Sequence, residues 1–141
     1  MQAISSFIFF VVCLALAQGA TVQEQVSAIA KKCAAENKVS AEQAKIAYAV
    51  VVPKTQEESC YLECIYTGAG VIKDGKFVVD GAKKLSAQRF TNAAEKTAAD
   101  SVIDTCGKEV SAGKDKCALG KAVRECFVKN GKNISFFPPP S

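Results

Sequence analysis

The chain has 141 residues, seven cysteines, no histidine and no tryptophan, and its 18 basic and 14 acidic side chains give a formal charge of +4. Without histidine there is no Ser-His-Asp or Cys-His catalytic set, nor the His–Asp site of secreted phospholipases, so no enzyme is expected. The lysines are dispersed, with no run beyond the pairs Lys31-Lys32 and Lys83-Lys84, and aromatics do not interleave with them, which argues against a nucleic-acid partner.

Residues 7–17, FIFFVVCLALA, form an unbroken apolar run too short to span a bilayer, followed by the small residues of Ala17-Gln18-Gly19-Ala20. This is the pattern of a secretory signal peptide over residues 1–19, with cleavage after Gly19 fitting best and ends from 17 to 20 also compatible. No Lys or Arg precedes the run, so its positive charge is the α-amino group alone. Removing it takes Cys13 away and leaves six cysteines in one domain of roughly 120 residues, 20–141, whose tail is 131–141. An even number in an oxidising compartment reads as three disulfides. No other apolar run is long enough for a membrane anchor, and the expected location is extracellular.

In the mature part, Val22, Val26, Ile29, Ala30 and Cys33 recur at helical spacing and predict a first helix ending near Asn37. Ser40 followed by Gln43 is a capping-box pattern that opens a second helix, stopped near Val52 by Pro53. Thr55 with Glu58 caps a third, which Gly68 ends and which carries the CYLEC pair Cys60 and Cys64. The stretch VIKDGKFVVD reads as an ordered loop rather than the alternative short hairpin, because two isolated strands have no sheet to join. Residues 83–110 predict two helices with a boundary near Asn92, the second ended by Gly113, and residues 114–130 predict a last one. The tail ISFFPPPS cannot be helical through its prolines. The expectation is an all-α domain of six helices.

Two sulfurs one helical turn apart, Cys60 and Cys64, share a face but are poorly aimed at each other, so each bonds elsewhere. Cys117 and Cys126, nine residues apart on the predicted last helix, are separated by about 900° of rotation and point to opposite sides. Six cysteines allow fifteen pairings, and excluding these two in-helix bonds leaves ten.

The spacing Cys33-x26-Cys60-x3-Cys64-x41-Cys106-x10-Cys117-x8-Cys126 resembles the six-cysteine signature of insect odorant-binding proteins, the pheromone-binding and general odorant-binding family. CYLEC, the loop ending in GKF and the pair Cys126-Phe127 share the resemblance, which spans nearly the whole mature chain. It implies a compact six-helix fold around an apolar cavity, with bridges Cys33–Cys64, Cys60–Cys117 and Cys106–Cys126. It also implies a secreted carrier of small hydrophobic odorants or pheromones through aqueous lymph, without cofactor or metal. An olfactory receptor is the further partner it suggests, and the expected form is a monomer or weak homodimer. A hollow core would explain three bridges in a chain of this size. A cavity of ~300 Å³ costs roughly 7 kcal/mol at 24 cal/mol per Å³, which bridges of about 2–4 kcal/mol each offset.

By the same resemblance the cavity wall includes Phe77, Phe90, Val102, Ile103, Val123 and Phe127, for each of which an ordinary core place is the competing reading. Tyr66, two past the third family cysteine, would orient an alcohol, ester or aldehyde group with its hydroxyl. The tail would fold back as a wall or lid and bring Ile134, Phe136 and Phe137 onto the ligand, since two adjacent exposed phenylalanines are unfavourable. Asn133-Ile134-Ser135 is a glycosylation sequon, expected to stay unmodified because an inward-packed tail leaves little room for a glycan. Two departures stand out. The chain is basic where many relatives are acidic, and with no histidine an imidazole cannot trigger acid-driven release. The alternative function is a secreted, disulfide-rich helical defence or structural protein with a full core and no ligand cavity.

Overall fold

A computed structural model describes residues 21–111 and 115–139; the leader segment, Cys13, Gly113 and Lys114 lie outside the described residues. Local signals set most helix ends. In α1, Val22–Asn37, the Thr21 hydroxyl accepts the Glu24 N–H, and Lys38 closes the far end in a left-handed conformation with φ 55°. The capping boxes of Ser40 with Gln43 and of Thr55 with Glu58 are both complete, starting α2 at Ala41 and α3, Gln56–Gly68. Asn92 caps α5, Ala93–Glu109, by accepting from the Ala94 and Glu95 N–H groups, which separates it from α4, Val79–Arg89. The last helix, α6, is Ala118–Gly131. Among the described residues these make six α-helices in an all-α fold, as the periodicity predicts.

Three local readings are corrected. The second helix does not run to Val52: α2 is Ala41–Ala44, one 3-10 turn follows over Lys45–Ala47, and the chain then leaves helical conformation. The carbonyls that a continuing helix would use internally are taken by the buried Arg124 of α6, described below. The loop after Gly68 does contain a hairpin, with Ile72–Lys73 (β1) antiparallel to Lys76–Phe77 (β2). Asp74 and Gly75, at φ 54° and 72°, form its two-residue turn. Such a small pair persists because Ile72 is buried and Val71 is tied on both sides, donating to Tyr66 O and accepting from the Val78 N–H. Finally, α6 begins at Ala118 because Cys117 holds a left-handed φ of 64°, a conformation a helix interior does not accept. Cys117 is thus the residue before the helix, not one on its face.

Helix α3 is the hub. Cys64 bonds Cys33 of α1, and Cys60 bonds Cys117 at the start of α6. A third bridge, Cys106–Cys126, joins α5 to α6. Helices α3 and α6 come close together at Gly120, where an added Cβ would lie 2.5–2.8 Å from Glu63 backbone and Cβ atoms. There the Gly120 N–H donates to Glu63 Oε1 at 2.9 Å. The core between these helices holds Tyr61, Leu62, Ile65 and Tyr66 of α3, Ile103 of α5 and Val123 of α6, all essentially without exposure. Lys83 of α4 pairs with Asp104 of α5 at 2.8 Å on the outer face. No helix among the described residues is long and apolar enough to cross a membrane.

Candidate functional site

The interior between α3, α6 and the tail is lined by aromatic rings from five parts of the chain. Phe127 of α6 lies at the centre. Its ring meets Phe77 of β2 and Tyr66 of α3 edge-on, both with centroids 5.9 Å away. From the other side Phe136 stacks on it at 4.3 Å, and Phe136 in turn meets Phe90, just past α4, edge-on at 6.1 Å. Phe137 leans on Tyr66 at 5.2 Å.

The tail therefore enters the core. It turns in at once, the Ile134 N–H bonding Gly131 O, and Ser135 Oγ donates to Tyr48 O at 3.0 Å. Phe136 and Phe137 are buried, and Pro139 accepts from Gln23 of α1. Asn133 stays exposed while Phe136 and Phe137 pack, so inward packing of the tail does not by itself exclude a glycan there. Where the sequence reading expects a ligand-sized space, these side chains fill it, and the cavity left beside them measures about 10 Å³. That is room for about one water molecule.

Tyr66, Phe127, Ile134, Phe136 and Phe137 meet around this remnant, whereas Phe77 and Phe90 do not line it and only back Phe127 and Phe136. Val102, Ile103 and Val123 are buried core residues away from it. Arg124, also on its wall, is absent from the sequence reading. Only 5 % of Arg124 is exposed. Its Nε donates to the Tyr66 hydroxyl at 2.8 Å. Nη1 donates to the carbonyls of Ile46, Ala49 and Val51 at 2.6, 2.9 and 3.1 Å, and Nη2 donates to that of Ala47 at 3.1 Å. One lone cation on the apolar face of α6, between Val123 and Phe127, is the signal that points to it. Tyr61 holds the end of α2, donating to Ala44 O at 2.8 Å, and burial pushes its hydroxyl up to about 12.

A six-helix domain with α3 bridged to both α1 and α6 agrees with a match over residues 16–130 to the model of the PBP/GOBP family. The chain belongs to the PBP/GOBP family. Two solved structures share the fold. One is the odorant-binding protein dmelOBP28a from Drosophila melanogaster, with a TM-score of 0.67 and 19% identity over 77% of this chain and 90% of that one. The other is the fatty acid binding protein OBP56a from the oral disk of the blowfly Phormia regina, with a TM-score of 0.57 and 23% identity over the same shares. At these identities the likeness establishes the fold. No curated protein matches the chain in sequence.

Proposed function

We propose that this protein is a secreted, non-enzymatic carrier that holds one small hydrophobic molecule where Phe136 and Phe137 now lie. The observation that carries the reading is the source of the filling: two aromatic side chains from the non-helical segment after α6, not from a helix, pack on Tyr66 and Phe127. A terminal segment can leave without breaking a helix or a disulfide, and its departure would give an aromatic-lined site of the usual small-molecule kind. Family membership and the printed names of the two neighbours, an odorant-binding and a fatty acid binding protein, support the same class of ligand. The apolar leader pattern and the disulfides support secretion.

A remnant of about 10 Å³ favours a second reading, a structural or defence protein with a full core. Competition for an apolar fluorescent probe by long-chain alcohols, esters and aromatics separates the two. It is run on refolded residues 20–141 and on a form ending at Lys132. Micromolar, saturable displacement that changes on truncation is expected of the carrier, and no saturable binding by either form establishes the packed protein.

A further inference from the structure

The charge of Arg124 is larger than its structural duties require. All of its acceptors are neutral: four backbone carbonyls and one hydroxyl. Among the described residues no carboxylate pairs with it, although burying a cation without a counter-charge is costly. A guanidinium has five N–H donors. Nε uses one, and Nη1 shares its two among three carbonyls. Nη2 meets only Ala47 O, so one of its N–H groups has no acceptor among the described residues. Tyr66 is 1 % exposed, and its hydroxyl is spent only as an acceptor from Arg124, which leaves its own proton without an acceptor among them. Both residues line the remnant cavity beside Phe137.

We infer that Arg124 and Tyr66 form a head-group site, and that the cognate ligand is an apolar monocarboxylic acid bound as its anion. The inference rests on the carrier reading. Once Phe137 leaves, the carboxylate takes the free Nη2 N–H and the Tyr66 O–H, and its charge neutralises the buried guanidinium. The aromatic rings around Phe127 take the apolar chain. An alcohol or ester of equal length fills the same volume but leaves the cation uncompensated, so this site discriminates by head group. The chain has no histidine, so between pH 4 and 7 the titration of this contact belongs mainly to the ligand.

The test displaces N-phenyl-1-naphthylamine from disulfide-intact residues 20–141 with hexadecanoic acid, hexadecanol and methyl hexadecanoate. At pH 7.4 the acid is expected to bind at least about tenfold tighter than the other two. Its advantage fades as pH falls below the ordinary carboxylate range of about 4, while alcohol binding stays flat. With 13C-carboxyl-labelled acid, the bound resonance should titrate at lower pH than in free solution. Tyr66→Phe keeps the Arg124–carbonyl contacts and is expected to cut the preference for the acid by about fivefold. Arg124→Gln should abolish the preference, and if that variant does not fold, the wild-type comparison and Tyr66→Phe decide alone. Equal displacement by acid, alcohol and ester overturns the head-group site and leaves the carrier reading standing. The same holds if none of the three displaces a bound probe, or if Tyr66→Phe lowers thermal stability with an unchanged preference. Absence of saturable probe binding overturns both readings.

Discussion

Arg124 of α6 reaches 78 residues back along the chain to the carbonyl of Ile46 at 2.6 Å. That bond, with those to Ala47, Ala49 and Val51, ties the 3-10 turn and the non-helical stretch after it to α6. Removing the guanidinium strands the buried carbonyls of Ile46 and Ala47 and releases those of Ala49 and Val51. Arg124→Met is therefore expected to lose at least about 3 kcal/mol in urea unfolding with the disulfides intact, at one to three per unsatisfied buried group. Arg124→Lys should recover little of it, because an ammonium cannot span four carbonyls as a planar fork does. A loss below 1 kcal/mol for Arg124→Met would show that the segment is held by something else.

The tail trades stability against access. Truncating Phe136 and Phe137 together to alanine removes two buried rings, at roughly 3 kcal/mol or more for a well-packed one, and opens the space beside Tyr66 and Phe127. The double variant should melt earlier than wild type yet take up an apolar probe faster and more tightly. Saturating ligand should then restore part of the lost melting temperature, since a ligand bound only by the folded state raises stability. Earlier melting with no gain in uptake would make the tail plain core.

Two glycines on α6 should answer alanine differently. At Gly120 the new Cβ meets Glu63 atoms at 2.5–2.8 Å, so α6 must move away from α3 or lose the Glu63 contact. A cost of about 2 kcal/mol is expected in denaturant unfolding. At Gly131 the nearest atoms, on Val102 and Ile134, are 3.5 Å away or more, which is ordinary contact. Gly131→Ala should change stability by no more than about 0.5 kcal/mol.

Alkali should expose the burial of Tyr61, whose hydroxyl holds the end of α2 through Ala44 O. Tyr61 ionises near 10 when unfolded but only at about 12 in the fold, where burial disfavours the phenolate. The folded state thus holds this proton more tightly. The stabilising contribution is complete below pH 10 and is lost as pH rises from there through 12. Absorbance at 295 nm should show tyrosine ionisation extending to about pH 12, with burial also raising Tyr48, and denaturant midpoints should fall across the same window. If all three tyrosines ionise together near pH 10, Tyr61 is not buried as described.

Helix ends were legible wherever the signal is local. Thr55 with Glu58 and Ser40 with Gln43 are contacts three residues apart, and their capping boxes form in the fold as the spacing predicts. The break at Asn92 is of the same kind, an Asn side chain bonding the next turn. The second helix was misread past Ala47 because its own residues do not stop it; a side chain some 75 residues away does. The hairpin at Asp74-Gly75 carried a turn signal, but its persistence depends on the burial of Ile72, which only packing supplies.

By itself the sequence determined the six-helix, all-α architecture, through apolar periodicity, caps and breakers that act within a turn or two of the chain. It also carried the cysteine spacing of the PBP/GOBP family, and the apolar rings that now face one another. Tertiary structure decided the rest. Which sulfurs meet is set by α3 packing on both α1 and α6. Cys117 sits in a left-handed conformation, and the tail fills the interior that the rings enclose. Arg124, an ordinary charge in one dimension, becomes a buried cation among neutral acceptors. Each of these joins residues far apart in sequence, and no local preference encodes such a contact; it exists only once the helices have packed.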